Sequence, residues 1–273
     1  MTDWGGTAYG WTSPQLLGLA AATALAFGLF LWRQATAAEP VLPLSLFRIP
    51  EIRIGFAVQG LVGMGLMGAI MYVMLYLQVA RGVAATSASL YLLPMALGMT
   101  VTGLLADRLG RSVRAVLATG TGCAALALLL LGLSGPGTSL WLVRGELVLL
   151  GVGLGQLIGH LVTVVQNAAP AHQLGVATTG VRFFQTLGGA LGASLFGTVL
   201  ARGFERHEPG MPLGTVGGLS GAAREHAVAG FVDAVDTVFF SAAGVMVLAL
   251  VLALRLRARA AGEPVRGEQA LAA

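Results

Sequence analysis

Gly103-Leu104-Leu105-Ala106-Asp107-Arg108-Leu109-Gly110-Arg111 is a short turn set between two long apolar stretches, and it holds almost every charge of its neighbourhood. A glycine at the end of one helix lets the next pack closely. An aspartate caps a helix N-terminus or clamps an arginine, and paired arginines hold a turn on the cytoplasmic side of a bilayer. The pattern is that of a loop joining two membrane helices, which predicts an all-α, polytopic membrane protein.

The whole composition agrees with that reading. The chain is 56% hydrophobic and only 10% charged, with a mean hydropathy of +0.82 and 40 glycines in 273 residues. A soluble domain carries about 25% charged residues. The net charge of +4 rests on 16 arginines with no lysine, and these sit at the ends of apolar runs rather than on one basic face. Topology explains the high isoelectric point, and no nucleic-acid partner is expected. Cys123, the single cysteine, lies within an apolar stretch, which excludes an internal disulfide and a cysteine-based metal site. Gly151-Val152-Gly153-Leu154-Gly155 follows no strand, so it is no nucleotide loop. His160 has no evident serine partner and Asp107 lies at a helix end, so an intramembrane hydrolase is unsupported. The expectation is no enzyme, no cofactor and no metal. Met1 to Ser13 lacks a basic region and a small-residue cleavage site, so no cleaved signal is expected.

Windows of roughly 20 apolar residues, enough to cross a bilayer, run from Leu16 to Trp32, Ile54 to Val79, Ala88 to Ala106, Ala115 to Leu133, Leu140 to Ala168, Val176 to Ala201 and Val235 to Leu256. These predict seven transmembrane helices. With the Asp107 turn inside, Arg33, Arg48, Arg53, Arg108, Arg111, Arg114, Arg255, Arg257, Arg259 and Arg266 are cytoplasmic, against Arg81, Arg202, Arg206 and Arg224 outside. Ten against four satisfies the positive-inside rule and puts the N-terminus outside and the C-terminus in the cytoplasm. The division that follows is an external segment and linker helix at 1–33, a cytoplasmic linker at 34–53, a six-helix unit at 54–257 and a cytoplasmic tail at 258–273. Glu39-Pro40, Pro43 and Pro50 interrupt helix in the linker. In the loop 202–230, the stretch continuing from Gly221 to Asp233 is expected to form a short surface helix. Six helices suit two three-helix repeats of inverted topology.

The turn at Gly103–Arg111 resembles the G-x-L-a-D-r-x-G-r loop of the major facilitator superfamily. Other stretches, in order, resemble its fourteen-helix drug:proton antiporters, the multidrug-resistance efflux group. They are Trp4-Gly5-Gly6 with Tyr9 and Trp11, Glu39-Pro40-Val41-Leu42-Pro43-Leu44 with Leu46-Phe47-Arg48, Tyr76-Leu77-Gln78, Leu92-Leu93-Pro94, Val165-Gln166-Asn167, Gln173-Leu174-Gly175-Val176-Ala177 and Leu187-Gly188-Gly189-Ala190-Leu191-Gly192. The resemblance implies the last linker helix plus the C-terminal six helices, without the preceding seven. It also implies a plasma-membrane, proton-coupled exporter of small molecules that needs an N-terminal half as partner, alongside protons, substrate and lipid. The second reading is a split-transporter subunit or a non-transporting binding or regulatory protein that pairs with such a half. Met74, Asp236 and the Arg182/Gln185 pair depart from the family pattern and leave substrate range and local helix geometry open.

Several residues are candidates for binding. Gln156, His160, Thr163 and Asn167 recur on one face of their span, and Gly151, Gly155 and Gly159 on a neighbouring face. The polar stripe either lines a cavity or bonds adjacent helices, and the glycine stripe is where another helix packs. His160 either exchanges a proton near neutral pH or stays neutral and hydrogen-bonded. Arg182, on the face of Thr178, Gln185 and Gly189, either snorkels to the membrane edge or contacts the cavity. Arg144 and Glu146 read as interfacial, with a gate contact as the other view. Met64, Met67, Met71 and Met74 line one face, with Tyr72 and Tyr76 beside them. Such a surface is either an adaptable substrate wall or ordinary packing. Pro94 marks a hinge or a packing kink, and Gly188 and Gly192 are further packing positions. The third and sixth helices of the unit should face lipid. By resemblance the first, second, fourth and fifth line the path, and Gly103, Asp107, Arg108, Gly110 and Arg111 form a cytoplasmic gate loop, with Asp107 and Arg111 as its clamp. Simple turn capping by Asp107 is compatible with that role.

Overall fold

The computed structural model describes residues 14–36, 43–106, 112–135 and 137–256. Asp107, Arg108, Gly110 and Arg111 lie outside the described residues, as do the N-terminal motif and the tail. Among the described residues every regular element is helical. The helices are α1 (Pro14–Thr36), α2 (Pro50–Leu75), α3 (Ala85–Leu90), α4 (Leu93–Ala106), α5 (Val113–Leu131), α6 (Leu140–Ala168), α7 (Leu174–His207) and α8 (Gly221–Leu254). Among the described residues six stretches are long and apolar enough to cross a membrane, with α3 and α4 together making one of them. The 23-residue α1 precedes them.

Local chemistry explains the boundaries. Pro50 occupies the first position of α2, where a missing N–H costs nothing, so the helix starts inside the stretch read as linker. A π-helical turn at Tyr76–Ala80 prolongs α2. Pro94 sits in the first turn of α4 and has no N–H to give Leu90, and the span breaks at Tyr91–Leu92 just before it. Ser112 and Ser139 cap α5 and α6 through their hydroxyl oxygens. The surface helix expected over 221–233 is not separate. It continues without a break into the last span, so α8 is 34 residues long, as is α7. At 1.5 Å per residue each is about 51 Å long, well beyond a hydrocarbon core of about 30 Å. Their overhanging ends stay together because Gly203 lies against Ala234 and Gly230 against the His207 side chain. His207 and Asp233 pair there at 3.1 Å, and His226 and Glu208 at 3.5 Å.

The helices α2, α3–α4 and α5 match α6, α7 and α8 as two repeats. The most extensive pairings are α2 with α7 and α4 with α6, which exchange under that correspondence; α5 with α6 likewise exchanges with α8 with α2. Glycines set both principal contacts. A Cβ at Gly188 would collide with the Gly60 carbonyl, and one at Gly63 with that of Gln185. On the other repeat, Gly151 faces the Met95 carbonyl and Gly155 that of Met99. Lipid offers helices no hydrophobic gain on association, so such close backbone approach is what holds them. Gly192 also belongs to this set, against Met64, whereas a Cβ at Gly159 would meet nothing. That corrects the glycine row on α6: Gly159 is open, not packed.

The third and sixth helices of the unit, α5 and α8, pack on each other and on α6 and α2, and keep exposed outer residues such as Leu126, Leu129, Leu248 and Val251. The least covered span is α3–α4, 17% buried against 50% for α2 and α6. Exposed Phe183, Leu187, Leu191 and Leu195 make a second open strip along α7. Replacing Gly188 by alanine should cost about 1–3 kcal/mol through overpacking, read as a lowered unfolding temperature in detergent. Gly159→Ala should leave that temperature unchanged or raise it.

Candidate functional site

The α6 stripe occupies the flank between the ridge that packs on α4 and the ridge that packs on α5. On the opposite side Leu147, Leu150, Leu154, Leu157 and Leu161 are fully buried. The Thr119 hydroxyl of α5 donates to Gln156 Oε1 at 2.8 Å, and Gln156 Nε2 donates to the Val152 carbonyl at 3.1 Å. Gln156 therefore bonds a neighbouring helix. His160 Nδ1 lies 3.0 Å from the Gln156 carbonyl oxygen, and the exposed Thr163 hydroxyl donates to Gly159 at 3.3 Å. Asn167 is exposed. Local bonds and the bond to α5 thus satisfy much of the stripe's polarity.

A second group does converge. Arg182 is exposed on α7, and its Nη1 donates to Gln185 Oε1 at 3.1 Å. The Gln185 backbone lies against Gly63 of α2, and one turn on, Gly189 lies against Met67. Met67 and Met71 are 42% and 48% exposed, so α2 and α7 share an open seam of thioethers, an amide and a guanidinium. Thr178, a turn before Arg182, accepts from Gln166 Nε2 of α6 at 2.9 Å. This bond ties the stripe's helix to the seam's helix, and sequence reasoning did not single it out. Gln166 faces away from the regular 156/160/163/167 progression, which hid it.

The two tyrosines leave the open face. Tyr72 is 1% exposed and meets Phe196 edge-on at 6.3 Å, while buried Tyr76 donates its hydroxyl to the Gly135 carbonyl at 3.0 Å. They lie a turn apart on the side of α2 opposite Met67 and Met71, so helical spacing alone assigned them to the wrong face. Gln59 was also missed. It is fully buried in α2, and neither amide atom has a hydrogen-bond partner among the described residues.

The linker end is also built in. Leu46 is fully buried, and Phe47 packs edge-on against Phe56 and Phe184 at centroid distances of 5.6 and 5.9 Å. Two clefts lie at the ends of the bundle, away from the seam. One of about 310 Å³ is lined by Pro50, Glu51, Ile54, Arg255 and Leu256; the other, about 200 Å³, is lined by Arg202, Arg206, His207, Asp233 and Thr237 among others. The described site is one wall, open on its far side.

An all-helical unit of two matching repeats with spans long enough to cross a bilayer is of the class found in membrane transporters. The signature of the Major Facilitator Superfamily matches residues 3–193, and the chain belongs to that family. It is 36% identical over 209 residues to an MFS-type transporter of Mycobacterium tuberculosis, a match covering 75% of this chain and 30% of that protein. It is 33% identical to the tetracenomycin C resistance and export protein of Streptomyces glaucescens, over 71% of this chain and 36% of the other. It is 32% identical to a tetracycline resistance determinant of Streptomyces rimosus, over 71% and 57%. The chain spans about a third of the length of the first of these relatives.

The Thr119–Gln156 bond should show a coupling of about 0.6 kcal/mol, and at most about 1.7, the range for such bonds between membrane helices. A double-mutant cycle with Thr119→Val and Gln156→Leu, read by reversible unfolding in bicelles, measures it.

Proposed function

We propose that this chain is the C-terminal half of a proton-coupled multidrug efflux transporter that exports hydrophobic or amphipathic small molecules by alternating access, and that it does not pump alone. The observation that carries this reading is Arg182 on the open α2–α7 seam. A guanidinium about 12 Å along α7 from its Leu174 end costs at least about 2.5–3.5 kcal/mol at the centre of a bilayer. Polar neighbours and adaptable methionines surround it, as a water-filled substrate wall would require. The missing side of that path is an N-terminal half packed over the open faces of α4 and α7. In this reading His160 and Asn167 lie further along the wall, and Asp107 and Arg111 hold the inner gate. The termini lie outside (N) and in the cytoplasm (C), in the plasma membrane, as the arginine distribution favours.

The short coverage of the relatives favours a piece of a longer product or one member of a split pair over a free-standing regulator. Proteoliposomes containing this chain alone should show no proton-gradient-driven export of a hydrophobic cation. Joined to a seven-helix N-terminal half, the pair should export it, with Arg182→Ala reducing the rate about tenfold or more and Asp107→Ala reducing it without removing protein from the membrane. A tenfold loss corresponds to about 1.4 kcal/mol. Robust gradient-dependent transport by this chain alone would overturn the proposal.

A further inference from the structure

Glu146 is the most deeply buried ionisable carboxyl among the described residues. It is 4% exposed and lies about 9 Å along α6 from its Leu140 end. An ionised carboxylate there needs a cation or several donors, because isolated charge in a low-dielectric interior is far costlier than a neutral acid. Among the described residues the only polar contact its carboxyl makes is with one hydroxyl. Arg144, two residues earlier, points around the helix and stacks over Trp141 and Tyr91 at 4.5 and 4.8 Å. Arg81 Nη1 donates to the Thr138 carbonyl at 2.7 Å.

What Glu146 does meet is the hydroxyl of Ser134, itself 5% exposed, in the turn between α5 and α6. Ser134 Oγ lies 2.9 and 3.2 Å from the two carboxyl oxygens and 3.1 Å from the Leu130 carbonyl oxygen. A hydroxyl has one proton, so it serves the carboxylate and the carbonyl together only as a shared, weakened bond. A proton on Glu146 resolves the conflict: the acid O–H donates to Ser134 Oγ, and the serine O–H turns to Leu130.

The same turn is fastened from α2. Tyr76 gives its hydroxyl to the Gly135 carbonyl, and Arg81 binds Thr138. The charged and titratable groups around this corner are Tyr76 and Arg81 from the end of α2, Asp236 and Asp233 from α8, Arg144 from α6 itself and Tyr91 from the break before α4. From Ala124 to Gly135 the chain has no ionisable side chain. Asp236 Oδ1, also buried, has no hydrogen-bond partner among the described residues, so this corner holds acid groups without the donors that ionisation demands.

We propose that Glu146 is an intramembrane proton-binding site, neutral in this conformation, and that its proton keeps Ser134, Gly135 and Thr138 docked on the end of α2. Loss of the proton to water as pH rises leaves a carboxylate that must be hydrated, which undocks the turn. The reverse step takes one proton from water and re-forms the Glu146–Ser134–Leu130 chain. The site needs no transport, so it stands or falls apart from the efflux reading.

Infrared difference spectroscopy of this chain in nanodiscs tests it. At neutral pH a carboxylic-acid carbonyl band is expected that Glu146→Gln removes, Ser134→Ala shifts, and Asp236→Asn leaves in place. On raising the pH the band should disappear while a cysteine placed at Gly137, in a Cys123→Ala background, becomes faster to label with an impermeant maleimide. Should Glu146→Gln fail to fold, the Ser134→Ala shift carries the test. The absence of such a band at neutral pH, its removal by Asp236→Asn instead, or labelling that ignores the band's loss would each overturn the proposal.

Discussion

Backbone contact between helices is the constraint on which this fold rests. In water a helix bundle is held by removing apolar surface from solvent, but in a bilayer lipid tails are as apolar as leucine, so association depends on how near two helices can come. At the crossings of α2 with α7 and of α4 with α6, glycine is the residue that permits contact. The two crossings fall at equivalent places in the repeats, so one packing solution is used twice. The aromatic cluster of Phe47, Phe56 and Phe184 then seals the end where the linker joins.

With those crossings satisfied, polarity is distributed by exclusion. The back helices α5 and α8 close the unit with small and branched apolar side chains, and the polar groups collect on the α2–α7 seam and the outer flank of α6. Among the described residues Gln59, Thr121, Ser134 and Glu146 are buried polar side chains, and the Oδ1 atom of Asp236 is buried as well, in an interior that is otherwise mostly apolar. In a medium that punishes unsatisfied polarity, such groups are where a membrane protein carries something besides stability.

Much of this was legible in the sequence because the bilayer imposes coarse rules. Span length, arginine placement and the Gly103–Arg111 turn suffice for an all-α membrane fold, and its family is settled by the match over 3–193. The glycine pattern foretold the packing at Gly151, Gly155, Gly188 and Gly192, yet misassigned Gly159, because helices cross at an angle and a row of glycines meets its partner over only part of its length. For the same reason Tyr72 and Tyr76 could not be separated from the methionines by spacing. Which side of a nearly uniform apolar helix faces its neighbours is decided by those neighbours, here Phe196 and the turn at Gly135. The fusion of the 221–233 segment into α8 was hidden similarly: charge and glycine signalled a surface segment, but nothing between Asp233 and Val235 breaks a helix.

The overhang shared by α7 and α8 has a practical meaning. Six-helix units without soluble domains offer image-alignment procedures little to grip, since the surrounding micelle hides their shape. Here two long helices leave the membrane side by side, knitted by Gly203, Gly230 and the His207–Asp233 pair, and form a stiff, off-centre mast on one face. That mast distinguishes top from bottom and one side from the other, and gives a binding fragment for electron microscopy a rigid place to attach.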